Sequence, residues 1–286
     1  MDTTHAFETI NFATFTDLLK QYPDVVPEKL TDLDIQRYSI IPSNAKTRLE
    51  ENDNDVYISK AELETLMKWK LTHGKFRPQL SKLIAENSES AVRETTSMAA
   101  KLFLSKTNSD TTPSQSDYKT AITTLTSLRG VGPATASLIL SCLPDTKAPF
   151  FSDELYRWAF FSATGSGKGD VGWERKLKYS LVEYLDLVEK VVELKERLGR
   201  QGVIVTSVEI EKVAYVIGKR ASGLAEASQK DGREKKRKEG PASSPSEKKA
   251  APRSSSKRPK TETQIMQSSE KQAEEPRATR RSTRNK

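Results

Sequence analysis

Residues 125–140 of the chain read Leu-Thr-Ser-Leu-Arg-Gly-Val-Gly-Pro-Ala-Thr-Ala-Ser-Leu-Ile-Leu. Two glycines flank Val131, and glycine permits the backbone conformations that a tight turn needs. Val131 itself suits the space between two helices as an apolar pin. Pro133 fits the first position of a helix, where its missing N–H is not needed. The stretch therefore predicts a tight turn, centred on Gly130, Val131 and Gly132, that leads directly into a helix.

A short helix is predicted on each side of this turn, over residues 118–128 and 133–143. The small side chains of Ala134 and Ser137 allow the second helix to lie close to the first. Free backbone N–H groups at the start of the second helix are a ready site for a phosphate oxygen. We therefore interpret residues 118–143 as a helical hairpin that holds the backbone of a nucleic acid, with a tight corner that only packs two helices as the alternative.

This hairpin resembles the helix-hairpin-helix motif of DNA-repair proteins, and in particular that of the base-excision DNA glycosylases. In that family an aspartate follows the glycine hairpin, near the start of a further helix, and the match here is Asp153. The resemblance implies that Asp153 faces a flipped nucleotide, stabilises positive charge on the sugar and helps direct the nucleophile. It also implies DNA contacts along the hairpin, from Arg129, Gly130, Val131, Gly132 and Thr135.

The chain also departs from this family. Members that cleave the DNA strand carry a lysine two residues after the second glycine, and that lysine attacks the sugar as an amine. Ala134 stands at this position, so the resemblance predicts no Schiff-base or strand-cleaving mechanism. The four-cysteine cluster of some members is absent as well, because the chain has a single cysteine, Cys142.

A second informative stretch, residues 69–78, reads Trp-Lys-Leu-Thr-His-Gly-Lys-Phe-Arg-Pro. Here, and in its hairpin, the chain resembles a group of little-characterised eukaryotic proteins, a resemblance that implies no settled activity. The cations and aromatic rings are typical of a patch that contacts phosphates and bases, with Lys70 and Arg77 as the expected phosphate ligands. The alternative is a core tryptophan beside solvated lysines.

The remaining chain, up to residue 220, has the three- and four-residue apolar spacing of helices rather than the alternation of strands. Helices are predicted near residues 12–21, 59–74, 80–85, 88–104, 149–161, 174–198 and 207–219. Ser59 and Glu62 have the spacing of a capping box, and Met98 and Leu102 are expected to face inward. We predict an all-α fold, with one compact multi-helix domain over residues 1–220 that contains the hairpin.

The positive charge of the chain lies near its C-terminal end. Residues 219–286 hold 20 lysines and arginines against 9 acidic residues, whereas residues 1–218 hold 27 against 30. The folded part is thus mildly acidic, and any nucleic-acid surface on it must be a local patch. Residues 221–286 lack apolar periodicity and are rich in serine, proline, lysine and arginine, which predicts a disordered basic tail.

Two basic clusters of this tail have the spacing of a bipartite nuclear import signal. They consist of Lys235, Lys236, Arg237 and Lys238, followed by Lys257, Arg258 and Lys260. We therefore expect a nuclear import receptor as a partner and the nucleus as the location, with a generic solvated charged segment as the alternative. A basic tail also adds salt-sensitive affinity for DNA.

The cysteine and histidine content limits the chemistry. One cysteine and two histidines exclude a multi-cysteine zinc or iron–sulfur site and a histidine-rich metal cluster. We therefore expect no metal and no cofactor. No stretch approaches the roughly 18 apolar residues of a membrane span, so no membrane partner is expected.

Three functions are compatible with these patterns. The favoured one is a nuclear protein that binds DNA without catalysis, in DNA repair or in chromatin. The second is a DNA N-glycosylase that lacks the lysine, with Asp153 as its catalytic carboxylate. The third is a protein-interaction scaffold on the same fold. A cleft with Asp153 at its mouth and Gly130 to Gly132 on its rim favours the enzyme, whereas a buried Asp153 that only caps its helix favours binding alone.

Overall fold

The computed structural model describes residues 3–51, 55–74, 77–105, 113–144, 147–163 and 171–238, with side chains as far as Gly223. All regular secondary structure in these residues is helical, which confirms the predicted all-α fold. The α-helices are α1 (Phe12–Lys20), α2 (Tyr22–Val25), α3 (Thr31–Ile35), α4 (Ile41–Glu51), α5 (Lys60–His73), α6 (Pro78–Ala85), α7 (Glu89–Leu104), α8 (Gln115–Leu125), α9 (Pro133–Leu140), α10 (Asp153–Ala159), α11 (Leu181–Gly199) and α12 (Ser207–Lys238). None of these helices has the length and apolar character of a membrane span.

Serine side chains begin many of the helices in one way. The hydroxyl accepts a hydrogen bond from the backbone N–H three residues later, which satisfies a free donor of the first turn. These serines are Ser59 before α5, Ser88 before α7, Ser114 before α8, Ser152 before α10 and Ser180 before α11. The capping box predicted for Ser59 and Glu62 is confirmed. One helix was predicted over residues 174–198. Its predicted start is wrong, because the cap at Ser180 starts α11 at Leu181.

The chain between α3 and α4 winds as a π-turn, Gln36–Ile40. Pro42 is the second residue of α4, and a proline ring inside a helix clashes with the carbonyl four residues earlier, so a wider turn accommodates it. The turn carries Arg37 into the interior. There its guanidinium donates to Ser141 Oγ at 2.6 Å and lies 3.5 Å from Glu211 on α12. This pair ties the N-terminal helices to the last helix.

The apolar core is continuous across the helices. α7 packs on α8, α8 packs on α9 and α11, and α12 packs on α1, α2 and α10. Two residues of α7 that were predicted to face inward, Met98 and Leu102, are 57% and 43% exposed, so that prediction is wrong. Each lies one position, about 100° around the helix, before a buried residue, Ala99 or Phe103.

The turn between α8 and α9 contains two glycines, and only Gly130 has to be a glycine. Gly130 has a φ of +77°, and a β-carbon there would lie 2.9 Å from Leu83 Cβ on α6. Gly132 has a φ of −99° and faces open space, so its backbone suits any residue. Val131 is buried between the helices, and Pro133 starts α9.

Asn87, in the turn after α6, fixes the hairpin from its outer side. Its amide nitrogen donates to the carbonyl oxygen of Arg129 at 3.0 Å, and its amide oxygen accepts from the Arg129 N–H at 2.9 Å. Nothing in the sequence indicates this long-range role, because asparagine after a helix is typical of an ordinary turn. These two bonds and the Gly130 contact hold the hairpin against α6.

The last helix, α12, continues to Lys238, beyond the end predicted near residue 219. Its side chains are described as far as Gly223, and residues 239–286 lie outside the described part of the chain. For residues 239–286, the disordered tail that was predicted from residue 221 therefore stays a prediction.

We expect Gly130→Ala to lower the free energy of unfolding by more than about 2 kcal/mol, because it adds left-handed backbone strain and an overlap with α6. The matched variant Gly132→Ala should cost at most about 1 kcal/mol, through a weaker helix cap. Urea unfolding followed by circular dichroism measures both values. Equal losses in the two variants would show that Gly130 is not held against α6.

Candidate functional site

The C-terminal end of α5, the hairpin and the start of α10 surround a cleft of about 260 Å³. Residues 178 and 179, just before α11, and Arg77, just before α6, complete its wall. We refer to this space, between Lys70, Thr135, Asp153 and Tyr179, as the cleft. Its volume is slightly below the roughly 300–1,000 Å³ that is usual for ligand sites, so it suits one small chemical group.

Asp153 lines the cleft and does not cap its helix. The cap of α10 is Ser152, whose hydroxyl accepts from the Leu155 N–H at 3.1 Å. Asp153 occupies the first helical position, with 28% of its side chain exposed. Its Oδ1 accepts from the Tyr179 hydroxyl at 2.7 Å, and its Oδ2 lies 3.4 Å from the Arg157 guanidinium. Its carboxylate is therefore accessible and oriented by a neutral donor and a cation.

Tyr179 holds this carboxylate from a strained position. Its φ is 55°, a left-handed value that no other non-glycine residue of the described chain adopts. Such strain costs about 1–2 kcal/mol and is found where a site requires it. The Arg77 guanidinium lies over the Tyr179 ring, 5.1 Å from its centre. Burial and the hydrogen bond to Asp153 raise the pKa of Tyr179, so its hydroxyl stays a donor.

Lys70 reaches into the cleft from the last turns of α5. Its Nζ donates to Thr135 Oγ1 at 2.7 Å, and this hydroxyl is on the second helix of the hairpin. Burial lowers the pKa of Lys70 to about 8, and repulsion from Arg77 acts in the same direction, while attraction to Asp153 acts against both. A substantial fraction of the amine is therefore neutral near pH 8.

Two further titratable groups line the inner part of the cleft. His73 lies between the rings of Trp69 and Tyr215, with centroids 4.6 and 4.4 Å away. Burial lowers its pKa to about 3, so the imidazole is neutral. Burial raises the pKa of Glu154, although Lys219 lies 3.8 Å from its carboxylate and opposes the shift.

The start of α9 presents free backbone donors to the rim of the cleft. The N–H groups of Gly132 and Ala134 form no hydrogen bond with the described residues. Two side chains, those of Arg77 and Lys178, add positive charge on the same cleft. Backbone N–H groups at a helix start, with cations beside them, form an arrangement that suits an anion.

The cleft collects six of the eight residues that the sequence singled out for DNA contact or catalysis. It is lined by Lys70, Arg77, Gly130, Gly132, Thr135 and Asp153. Two others lie elsewhere: Arg129 is outside the cleft, 63% exposed and paired with Glu86 at 2.7 Å, and the Val131 side chain is buried. Lys235, Lys236, Arg237 and Lys238 have no described side chains, and Lys257, Arg258 and Lys260 lie outside the described residues.

Trp69, an aromatic residue of the patch predicted at residues 69–78, belongs to the core. Trp69 is fully buried, and its Nε1–H donates to Asp34 Oδ1 at 2.6 Å. The core alternative is therefore the right one for this tryptophan. Phe76 lies outside the described residues. Sequence reasoning missed Tyr179, because its left-handed backbone leaves no signal in the sequence.

Comparison of the chain with protein-family models, curated proteins and solved structures finds no match. In the part of the chain that the structure describes, no group of three or more histidine, cysteine, aspartate or glutamate side chains is arranged to hold a metal ion. The function of the protein is therefore inferred from the geometry of the cleft.

We expect Lys70 to titrate near pH 8, the value to which its burial lowers the pKa. Lys195 is a matched reference, because burial lowers its pKa to about 8 as well. Arg77→Leu should raise the pKa of Lys70 by removing a repelling charge, and Asp153→Asn should lower it by removing an attracting one. NMR titration of lysines labelled by ¹³C reductive methylation measures these values, and the Lys70→Arg and Lys195→Arg variants assign the two signals.

Neither change should move the Lys195 signal. A Lys70 signal near the ordinary lysine pKa of about 10.4, or one that both variants leave in place, would contradict the geometry described for this amine.

Proposed function

We propose that this protein binds DNA through its hairpin and removes a base from a nucleotide that is turned out of the double helix into the cleft. The observation that carries the proposal is the position of Gly132 and Asp153 on one cleft. Backbone donors that suit a phosphate and a carboxylate that suits a cationic sugar thus line the same small space.

The rim of the cleft supports the binding half of the proposal. A phosphate next to Gly132 would accept hydrogen bonds from the free N–H groups of Gly132 and Ala134. Arg77 and Lys178 would neutralise the neighbouring phosphates of the same strand. This small set of cations supplies the local positive patch that a mildly acidic domain needs in order to bind DNA.

The chemistry assigned to Asp153 is support of base departure. When the bond between C1′ and the base nitrogen breaks, the base keeps the electron pair and C1′ becomes positively charged. A carboxylate near C1′ stabilises that charge. Water then adds to C1′ and gives up a proton to Asp153 or to solvent, and the departing base takes up a proton from solvent. An abasic sugar and a free base remain. Tyr179, which donates to Asp153, orients the carboxylate for this task.

DNA binding without catalysis is the simpler form of the same proposal. The enzyme is favoured because Ser152 caps α10, so capping does not account for Asp153, and because Asp153 lines a cleft. A location in the nucleus and a nuclear import receptor as partner belong to the proposal too. They are supported by the basic clusters of the tail alone.

We expect Gly132→Asp to weaken binding of a DNA duplex by about tenfold or more, because a carboxylate would stand where a phosphate approaches. Gly132→Asn is the matched control, since asparagine has the same shape and is an equally good helix cap without the charge. Fluorescence anisotropy with the full chain in 150 mM salt measures the two affinities. Equal affinities in these two variants, with both folded, would overturn the assignment of the hairpin as a phosphate site.

For the enzyme, we expect release of a base from at least one member of a panel of duplexes with damaged bases. Asp153→Asn should reduce that release by about 100-fold or more, a loss typical of one electrostatic group in an active site. Asp186→Asn, the same change on an exposed face of α11, should leave it unaltered. Abasic product is detected by alkaline cleavage and gel electrophoresis.

Two results count against the enzyme. One is the lack of abasic product from every duplex in the panel, and the other is equal product from wild type and Asp153→Asn. With DNA affinity retained, either result would leave the binding half of the proposal alone.

A further inference from the structure

We infer that Lys70 is a nucleophilic amine of the cleft, which forms a Schiff base with the open-chain aldehyde of an abasic deoxyribose. The inference rests on the proposed function, because it needs the sugar of a turned-out nucleotide in the cleft. It assigns to α5 a group that the hairpin lacks, since Ala134 offers no amine.

The position of Lys70 carries the inference. Its Nζ lies 2.7 Å from the hydroxyl of Thr135, the neighbour of Ala134 in the chain, so the amine is held against the second helix of the hairpin. Ala134 and Asp153 line the same cleft. A lysine from one helix thus presents its amine beside the hairpin position that has none and in the same space as the carboxylate.

The surroundings of Lys70 keep its amine reactive. Its one hydrogen bond with the described residues is to a neutral hydroxyl, and it forms no ion pair with them. Arg77 repels its charged form and Asp153 attracts it, and Lys178 and Glu154 line the same cleft. His73 and Tyr179 on the same cleft stay neutral, because burial lowers the pKa of the histidine and raises that of the tyrosine. A desolvated lysine of this kind is a typical nucleophile toward carbonyl groups.

Lys195 shows that burial alone does not define such a site. Its Nζ donates to Ser207 Oγ at 2.7 Å, and burial lowers its pKa to about 8, as for Lys70. This second amine lies between α11 and α12 and does not line the cleft. The two lysines thus share their local chemistry and differ in access to a substrate, which makes Lys195 the matched control.

The covalent step needs no oxidant or reductant. The neutral Nζ attacks C1′ of the aldehyde, the carbonyl oxygen takes up a proton, and a carbinolamine forms. Loss of its hydroxyl group as water leaves a double bond between Nζ and C1′ with a positive charge. The Asp153 carboxylate, which lines the same cleft and attracts the charged form of Lys70, would stabilise this cation. Addition of water reverses the sequence and returns the free amine and the sugar.

The test is reductive trapping on a DNA duplex that contains one abasic site. Sodium borohydride delivers a hydride to the imine carbon and converts the Schiff base into a stable secondary amine, so the protein becomes covalently attached to the DNA. We expect full-length protein to be trapped, and both Lys70→Arg and Lys70→Met to lose about tenfold or more of the trapped band. Lys195→Arg should be trapped as well as wild type. Mass spectrometry of the digested adduct should find the sugar on the peptide that contains Lys70.

Circular dichroism and anisotropy with the same duplex check that the Lys70 variants fold and bind. Trapping of both variants at the wild-type level, or a sugar attached to another lysine such as those of the tail, would overturn the inference and leave the proposed function in place. Failure of wild-type protein to be trapped while it binds the duplex would overturn it as well. Failure to bind the duplex and to release any base would overturn the proposed function itself.

Discussion

Gly130 lies against α6 so closely that even a β-carbon there would fall 2.9 Å from Leu83 Cβ. This contact, with the two hydrogen bonds from Asn87 to Arg129, sets the position of the hairpin on the rest of the domain. The hairpin then sets the start of α9, and α9 carries the Thr135 hydroxyl that Lys70 binds from α5. The positions of Thr135 and Lys70 on the cleft therefore depend on the close approach of Gly130 to α6.

At the start of α10, one residue stabilises the helix and its neighbour lines the cleft. Ser152 satisfies a free donor of the helix, which leaves the Asp153 carboxylate on the cleft. The hairpin shows the same division, because Gly130 meets the steric demand and Gly132 leaves the approach to the helix open. A substitution at Ser152 or Gly130 would consequently alter the stability of the fold, whereas one at Asp153 or Gly132 would alter the surface of the cleft. The two effects can therefore be separated by experiment.

Local patterns predicted much of this molecule, and long-range packing accounts for the rest. Caps such as Ser59 and the turn before Pro133 depend on a few adjacent residues, so they are readable in the sequence. The left-handed Tyr179 depends on contacts with Asp153 and Arg77 that are far apart in the chain. The burial of Lys70 is hidden for the same reason, because spacing alone does not tell a solvated lysine from one that a neighbouring helix covers.

The strained backbone of Tyr179 has a consequence for how this protein can change. A typical domain is stable by only about 5–15 kcal/mol, and a left-handed tyrosine uses about 1–2 kcal/mol of that margin. The buried amine of Lys70, on the same cleft, adds the cost of desolvating a charge. Substitutions that relieve these costs would be selected in a chain under pressure for thermostability alone. The wall of the cleft that holds Tyr179 and Lys70 is thus a place where the domain gives up stability.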